Sequence, residues 1–119
     1  MSAIERFATA FTGLELAYLR RQDNTTGSKN SGKVDSRYSI VRETPTRQVF
    51  AEHLSEGSAG IGIVPIREDG TCSWGCIDVD EYPIDLPAIQ KRLHEYKLPF
   101  IVSRSKSGGA HLFLFTDDP

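Results

Sequence analysis

The spacing of apolar positions changes several times along the chain, and each change marks an element. In residues 3–21, AIERFATAFTGLELAYLRR, Ile4, Phe7, Ala8 and Phe11 recur at helical spacing, which predicts a helix over at least part of the stretch. Leu14, Leu16 and Tyr18 fall off that spacing, and Gly13 is a natural break. Residues 22–36 are polar and rich in Gly, Ser, Thr and Asn, which predicts a long mobile loop. Residues 38–41 read as a short strand. Residues 46–54 read as a helix with Val49, Phe50 and Leu54 on its apolar side and Gly57 as its stop. GIGIVPI, 60–66, reads as a strand that Pro65 confines to an end or an edge. REDGT, 67–71, is a turn, and SWGCIDVD, 73–80, a further strand. Asp85 is placed to cap a helix running to about residue 97, with Pro87 in its first turn and Leu86, Ile89, Leu93 and Tyr96 facing a core. FIVSRS, 100–105, and AHLFLF, 110–115, are the last two strands.

From residue 73 the order is strand, helix, strand, strand. These are the first four elements of a ferredoxin-like βαββαβ unit, the topology of RNA-recognition motifs. The expected class is therefore α+β: an RRM-like antiparallel sheet with packed helices. Its final helix and strand are not reached before Pro119, so the reading is a core truncated after the third strand of that unit. The N-terminal helix and the 60–66 strand are candidates for the missing places; the other reading is a fragment of a longer protein. Residues 1–56 are taken as an N-terminal helical and basic-loop portion and 57–119 as the RRM-like portion, together one domain. A length of 119 residues suits that.

Composition alters this picture little. With 39% hydrophobic and 25% charged residues, a folded globular chain is expected. A net charge of −2 argues against a simple basic coat for nucleic acid. The charge is uneven, however: residues 20–47 hold seven Lys/Arg against three acids, while acids gather at 78–85 and near the C-terminus. Such a split suits a phosphate polymer together with a bound metal, although a solvated charged loop fits the charge count equally well. Cys72 and Cys76 have no second pair to complete a zinc site, and their spacing is not a usual zinc spacing. Without a signal peptide they read as reduced thiols of a cytoplasmic protein, Cys76 as a small core residue. No apolar run reaches transmembrane length, so no membrane partner is expected.

The chemistry concentrates in two segments. In GCIDVDEY, 75–82, strand alternation puts Asp78 and Asp80 on one face and Ile77 and Val79 on the other. Two adjacent carboxylates repel, and a hard divalent cation between them relieves this. An Asp-x-Asp by itself is more often the start of an acidic surface turn. In SKSGGAHLFLF, 105–115, a loop nearly bare of side chains leads into a strand whose His111, Phe113 and Phe115 share a face. If Leu112 and Leu114 face the helix with Ile77 and Val79, then His111 joins Asp78 and Asp80. One face would then carry two carboxylates, an imidazole and a Ser/Lys/Gly rim. That composition fits a metal-bound triphosphate, with Ser105, Lys106, Ser107 and the backbone at Gly108 and Gly109 meeting phosphate. The bland alternatives are a satisfied strand histidine and a solvated Lys106.

Other features point less far. GSKNSGK, 27–33, carries the glycines and lysine of a P-loop, but Val34 stands where the magnesium-binding hydroxyl belongs. The segment is read instead as a flexible basic loop, with Lys29, Lys33, Arg37 and Arg42 as candidate contacts to nucleic-acid phosphates. His53 and His94 fall in helical segments and read as structural or exposed. Asp85, Asp117 and Asp118 are candidates for extra metal ligands, after capping and surface roles.

GCIDVDEY and SRSKSGGAHLFLF, separated by one helix, together resemble the archaeo-eukaryotic primase superfamily of primase-polymerases, which carry an Asp-h-Asp motif and then a Ser…His motif on an RRM-like sheet. GIGIVPIREDGTCSWGCIDVD looks like the small primase domains of bacterial viruses and TOTE-type conflict systems. The resemblance is good over about residues 57–116 and weak in the N-terminal third. It implies a DNA primase and polymerase activity in which a 3′-hydroxyl attacks the α-phosphate of an incoming nucleotide and pyrophosphate leaves. It also implies Asp78 and Asp80 as ligands of catalytic Mg²⁺ or Mn²⁺, His111 as the nucleotide-phosphate histidine, and either Ser105 or Ser107 as the motif serine. A third acidic ligand, on a later strand in that family, has no counterpart before Pro119. The implied partners are nucleoside triphosphates, a single-stranded DNA template and a replicative helicase. Two other readings use the same residues. One is a non-catalytic module of primase-like fold that holds nucleotide or single-stranded nucleic acid, with Trp74, Phe113 and Phe115 stacking on bases. The other is a metal-dependent nuclease.

Overall fold

The computed structural model describes residues 1–21 and 37–118. The predicted mobile loop, with the P-loop-like segment and with Lys29 and Lys33, lies outside the described residues. By internal contacts the chain divides into two compact units, Met1–Ser73 and Trp74–Asp118.

In the first unit, helix α1 (Ala3–Ala10) starts at a capping box in which the Ser2 hydroxyl accepts from the Glu5 N–H and the Glu5 carboxylate accepts from the Ser2 N–H. The helix is much shorter than the 3–21 stretch allows. Thr12 turns its hydroxyl back onto the carbonyls of Ala8 and Thr9, and Leu14 donates its N–H to Val64. At Gly13 a Cβ would collide with the Val64 carbonyl, so only glycine lets these two backbones pass. The rest of the stretch is a strand that helical periodicity did not reveal, β1 (Tyr18–Arg21). It pairs antiparallel with β2 (Tyr38–Val41), Tyr18 opposite Val41. Helix α2 (Arg47–His53) follows, capped by the Thr46 hydroxyl. The expected 60–66 strand pairs only over β3 (Ile61–Gly62), against Leu19 and Arg20, completing a sheet ordered β2-β1-β3. Past Gly62 the backbone turns its hydrogen bonding to Leu14, ahead of Pro65. Tyr18, Val49 and Phe50 are buried here, with Phe7 packed on Phe11 and Phe50 at ring-centre distances of 4.8 and 6.1 Å.

The second unit is β4 (Trp74–Val79), α3 (Leu86–Glu95), β5 (Ile101–Arg104) and β6 (Ala110–Phe115). Its sheet order is β4-β6-β5, with β6 antiparallel to both neighbours. Strands β4 and β5 therefore run parallel, α3 is the crossover between them, and β6 is inserted in the gap. This split βαβ with its trailing hairpin is the RRM-like arrangement. The 60–66 segment pairs, over β3, with β1 of the first unit.

Ala110 and Leu112 on the central strand are buried. The Asp85 carboxylate accepts from the Ala88 N–H and caps α3, as its position before Leu-Pro predicts. Two expected core residues are not core: Tyr96 is 67% exposed and Ile77 51%. Tyr96 lies past the last helical turn, at the C-cap, and Ile77 lies on a strand paired on one side only among the described residues.

Candidate active site

The β4–β6 register sets the site. Trp74 faces Phe115, Cys76 faces Phe113 and Asp78 faces His111; on the other side of β6, Ser103 faces His111. Directly paired residues share a sheet face, so Trp74, Cys76, Asp78, His111, Phe113, Phe115 and Ser103 form one face. The imidazole Nε2 of His111 lies 3.5 Å from Asp78 Oδ1, an ion pair whenever the ring is protonated. Its ring also meets Phe113 edge-on at 5.8 Å. Cys76 is not the core residue that its small apolar side chain predicts. It is exposed on this face, because the residue opposite it is Phe113 and not a residue of the Leu112 side. Partial burial, with the Asp78 carboxylate adding to it, pushes its thiol up from the ordinary value.

Ladder pairing ends at Val79, opposite Ala110, so Asp80 stands one residue beyond the strand. It is held by a residue that sequence patterning did not single out. The Tyr82 hydroxyl donates to Asp80 Oδ1 at 3.5 Å and lies 2.9 Å from Ser107 Oγ. The only trace of Tyr82 in the sequence is its place two residues beyond Asp80, continuing the Asp78, Asp80 alternation.

The loop between β5 and β6 is a tight turn. Ser105 donates its N–H to the Gly109 carbonyl at 2.9 Å, and its own carbonyl accepts from Gly108 at 3.1 Å. Gly108 has a φ of 92°, a conformation other residues rarely take. A Cβ on Gly109 would strike the Val79 carbonyl. Each glycine thus has a reason in the fold that is independent of any ligand. The two candidate serines are placed differently. Ser105 is only 7% exposed, and its Oγ is buried without a hydrogen-bond partner among the described residues. Ser107 and Lys106 are exposed, Ser107 at the Tyr82 contact.

The remaining candidates lie apart from this cluster in the chain. Arg37 and Arg42 are exposed residues flanking β2. His53 packs on Phe7 at 5.8 Å with Nδ1 3.5 Å from the Ala59 carbonyl, a structural setting. His94 is exposed on α3, Asp85 is a cap, and Asp117 and Asp118 are exposed after β6.

The described residues contain no group of three or more His, Cys, Asp or Glu placed to hold a metal. Two carboxylate side chains at a strand end are nevertheless the protein share expected of a Mg²⁺ site that substrate phosphates and water complete. The two carboxylates suit an open ion site better than a closed protein cage. Among the described residues no helix is long and apolar enough to cross a membrane.

A family model described as TOTE conflict system, Archaeo-Eukaryotic Primase domain, matches residues 2–119. No curated protein and no solved structure matches the chain.

Proposed function

The chain belongs to the TOTE-type archaeo-eukaryotic primase family, and on that premise we propose that it is a nucleotidyltransferase domain that makes or extends primers on single-stranded DNA. The observation that carries the reading is the facing of Asp78 and His111 across β4 and β6, beside the Ser-Gly loop.

In this reading Asp78 and Asp80 offer hard oxygen donors to Mg²⁺ or Mn²⁺. His111 lies against the Asp78 carboxylate and presents its ring to a phosphate. Ser107 and Lys106 are the exposed groups of the loop and meet phosphate oxygens, whereas Ser105 serves the interior of the turn. A divalent ion bound there would supply charge neutralisation for in-line displacement at the α-phosphate, in which the 3′-oxygen forms the new P–O bond, its proton passes to solvent and the bond to the leaving pyrophosphate breaks. The protein's own part is positioning and electrostatic stabilisation. Arg37 and Arg42, and Lys29 and Lys33 beyond the described residues, are proposed to contact the template.

The test uses the single tryptophan, Trp74, which shares a strand and a face with Asp78. Titration of Mn²⁺ with a deoxynucleoside triphosphate is expected to give a saturable fluorescence change that Asp78→Ala and His111→Ala both abolish. Primer synthesis on single-stranded DNA should be lost in the same variants. An Asp78→Ala protein that binds and synthesises normally overturns the reading. Nucleic-acid binding indifferent to metal and triphosphate points instead to a binding module, and degradation of a labelled strand without added nucleotide to a nuclease.

A further inference from the structure

Tyr82 Oη lies between two groups that come from different segments: Asp80, just past β4, at 3.5 Å, and Ser107, in the β5–β6 loop, at 2.9 Å. It also lies in ordinary contact range, 3.5 Å, of where a Cβ on Gly109 would stand, which places it against the backbone of the loop. We infer that the Tyr82 hydroxyl is a positioning group that couples the metal-side carboxylate to the phosphate-side serine. This rests on the function proposed above.

A phenol has one hydrogen to donate and lone pairs to accept. With Asp80 carrying an unshared negative charge, Tyr82 donates to Asp80 and accepts from Ser107. The Ser107 hydrogen is then engaged and faces away from an incoming phosphate, which is itself an acceptor. Once a cation is held at the Asp80 carboxylate, that carboxylate is a poorer acceptor, and the Tyr82 hydrogen can turn to Ser107 Oγ. Either atom of the 2.9 Å pair can be the donor, so the turn needs no movement of heavy atoms. Ser107 is thereby freed to donate to phosphate. One hydroxyl thus makes cation binding at Asp80 and phosphate binding at Ser107 mutually favourable.

The decisive experiment is a double-mutant cycle on the full chain. Affinity for a deoxynucleoside triphosphate, without Mn²⁺ and with saturating Mn²⁺, is measured by calorimetry for the wild type, Tyr82→Phe, Ser107→Ala and the double variant, with Asp78→Ala as control. Phe keeps the ring and removes only the hydroxyl. In each single variant the tightening that Mn²⁺ brings is expected to shrink about fivefold, as for the loss of one hydrogen bond, and to shrink no further in the double variant. Melting temperatures of the ligand-free proteins should be unchanged, which separates positioning from a structural role. A wild-type Mn²⁺ effect in Tyr82→Phe, or losses that multiply in the double variant, overturns the inference while leaving the proposed function intact, provided Asp78→Ala has lost binding. Undiminished binding by Asp78→Ala overturns the proposed function itself. Should Tyr82→Phe prove unstable, Ser107→Ala alone decides, and an unchanged Mn²⁺ effect on affinity in it overturns the coupling.

Discussion

A side chain at residue 109 would run into the Val79 carbonyl and stand 3.1 Å from the Ser105 hydroxyl. Gly109→Ala should therefore cost stability on the scale of overpacking, about 1–3 kcal/mol, read as a lowered urea midpoint through Trp74 fluorescence. Ser105 offers the opposite case. Its buried hydroxyl has no partner among the described residues, so Ser105→Ala removes a desolvated polar group and should leave stability unchanged or raise it. A marked loss in Ser105→Ala would show that the hydroxyl is satisfied in solution. At this scale the sequence was legible in part. The identities of Asp78, Asp80 and His111 drew attention because their chemistry is conspicuous. Tyr82 stayed hidden because the reach of a long side chain back across a turn leaves no periodic signal. Cys76 was misplaced because an apolar label says nothing of which sheet face a residue takes, and only the β4–β6 register decides that.

Among elements, those defined by local rules were read well. Helix α3 has its cap and its proline in sequence, and Asp85→Ala should cost roughly 1 kcal/mol by urea unfolding, most of which Asp85→Asn retains. If Asp85 were a metal ligand instead, that variant would lose Mn²⁺ affinity with its fold intact. Helix α1 carries a pH signature. Glu5 is held below the usual carboxylate range by the backbone and hydroxyl hydrogen bonds with Ser2, with Arg47 adding to it at 3.1 Å. A lowered folded value means the contribution is present above the ordinary carboxylate pKa and is lost as pH falls through the lower one. Glu5→Gln should flatten that part of an acid-unfolding curve followed by circular dichroism. Strand β1 was missed for a different reason. Its four residues follow directly on helical periodicity, and they become a strand by pairing with residues 38–41, across a stretch that no local window spans.

For the whole molecule, the ordering of strand, helix, strand, strand carried the fold class, because a split βαβ with a trailing hairpin has few ways to close. The division into Met1–Ser73 and Trp74–Asp118 was less visible, since no run of linker-like composition marks residue 73. A triphosphate held by Asp78 from β4 and by His111 from β6 would clasp two strands of the second unit. Its presence with Mn²⁺ at about a hundred times the dissociation constant should stabilise the protein by about 2.7 kcal/mol, read as a raised melting temperature. His111→Ala should lose most of that rise.

The facing of Asp78 and His111 also has a consequence in time. During synthesis β4 leaves the ribosome well before its partner, because β6 follows only after α3, β5 and the loop. At about 5–20 residues per second, that gap lasts on the order of 2–7 seconds. Throughout it, Cys76 and Ile77 belong to a strand whose ladder partner, β6, is not yet made. Cells translating this chain thus face a brief window of exposed strand edge, and a slower codon run between β4 and β6 would lengthen it.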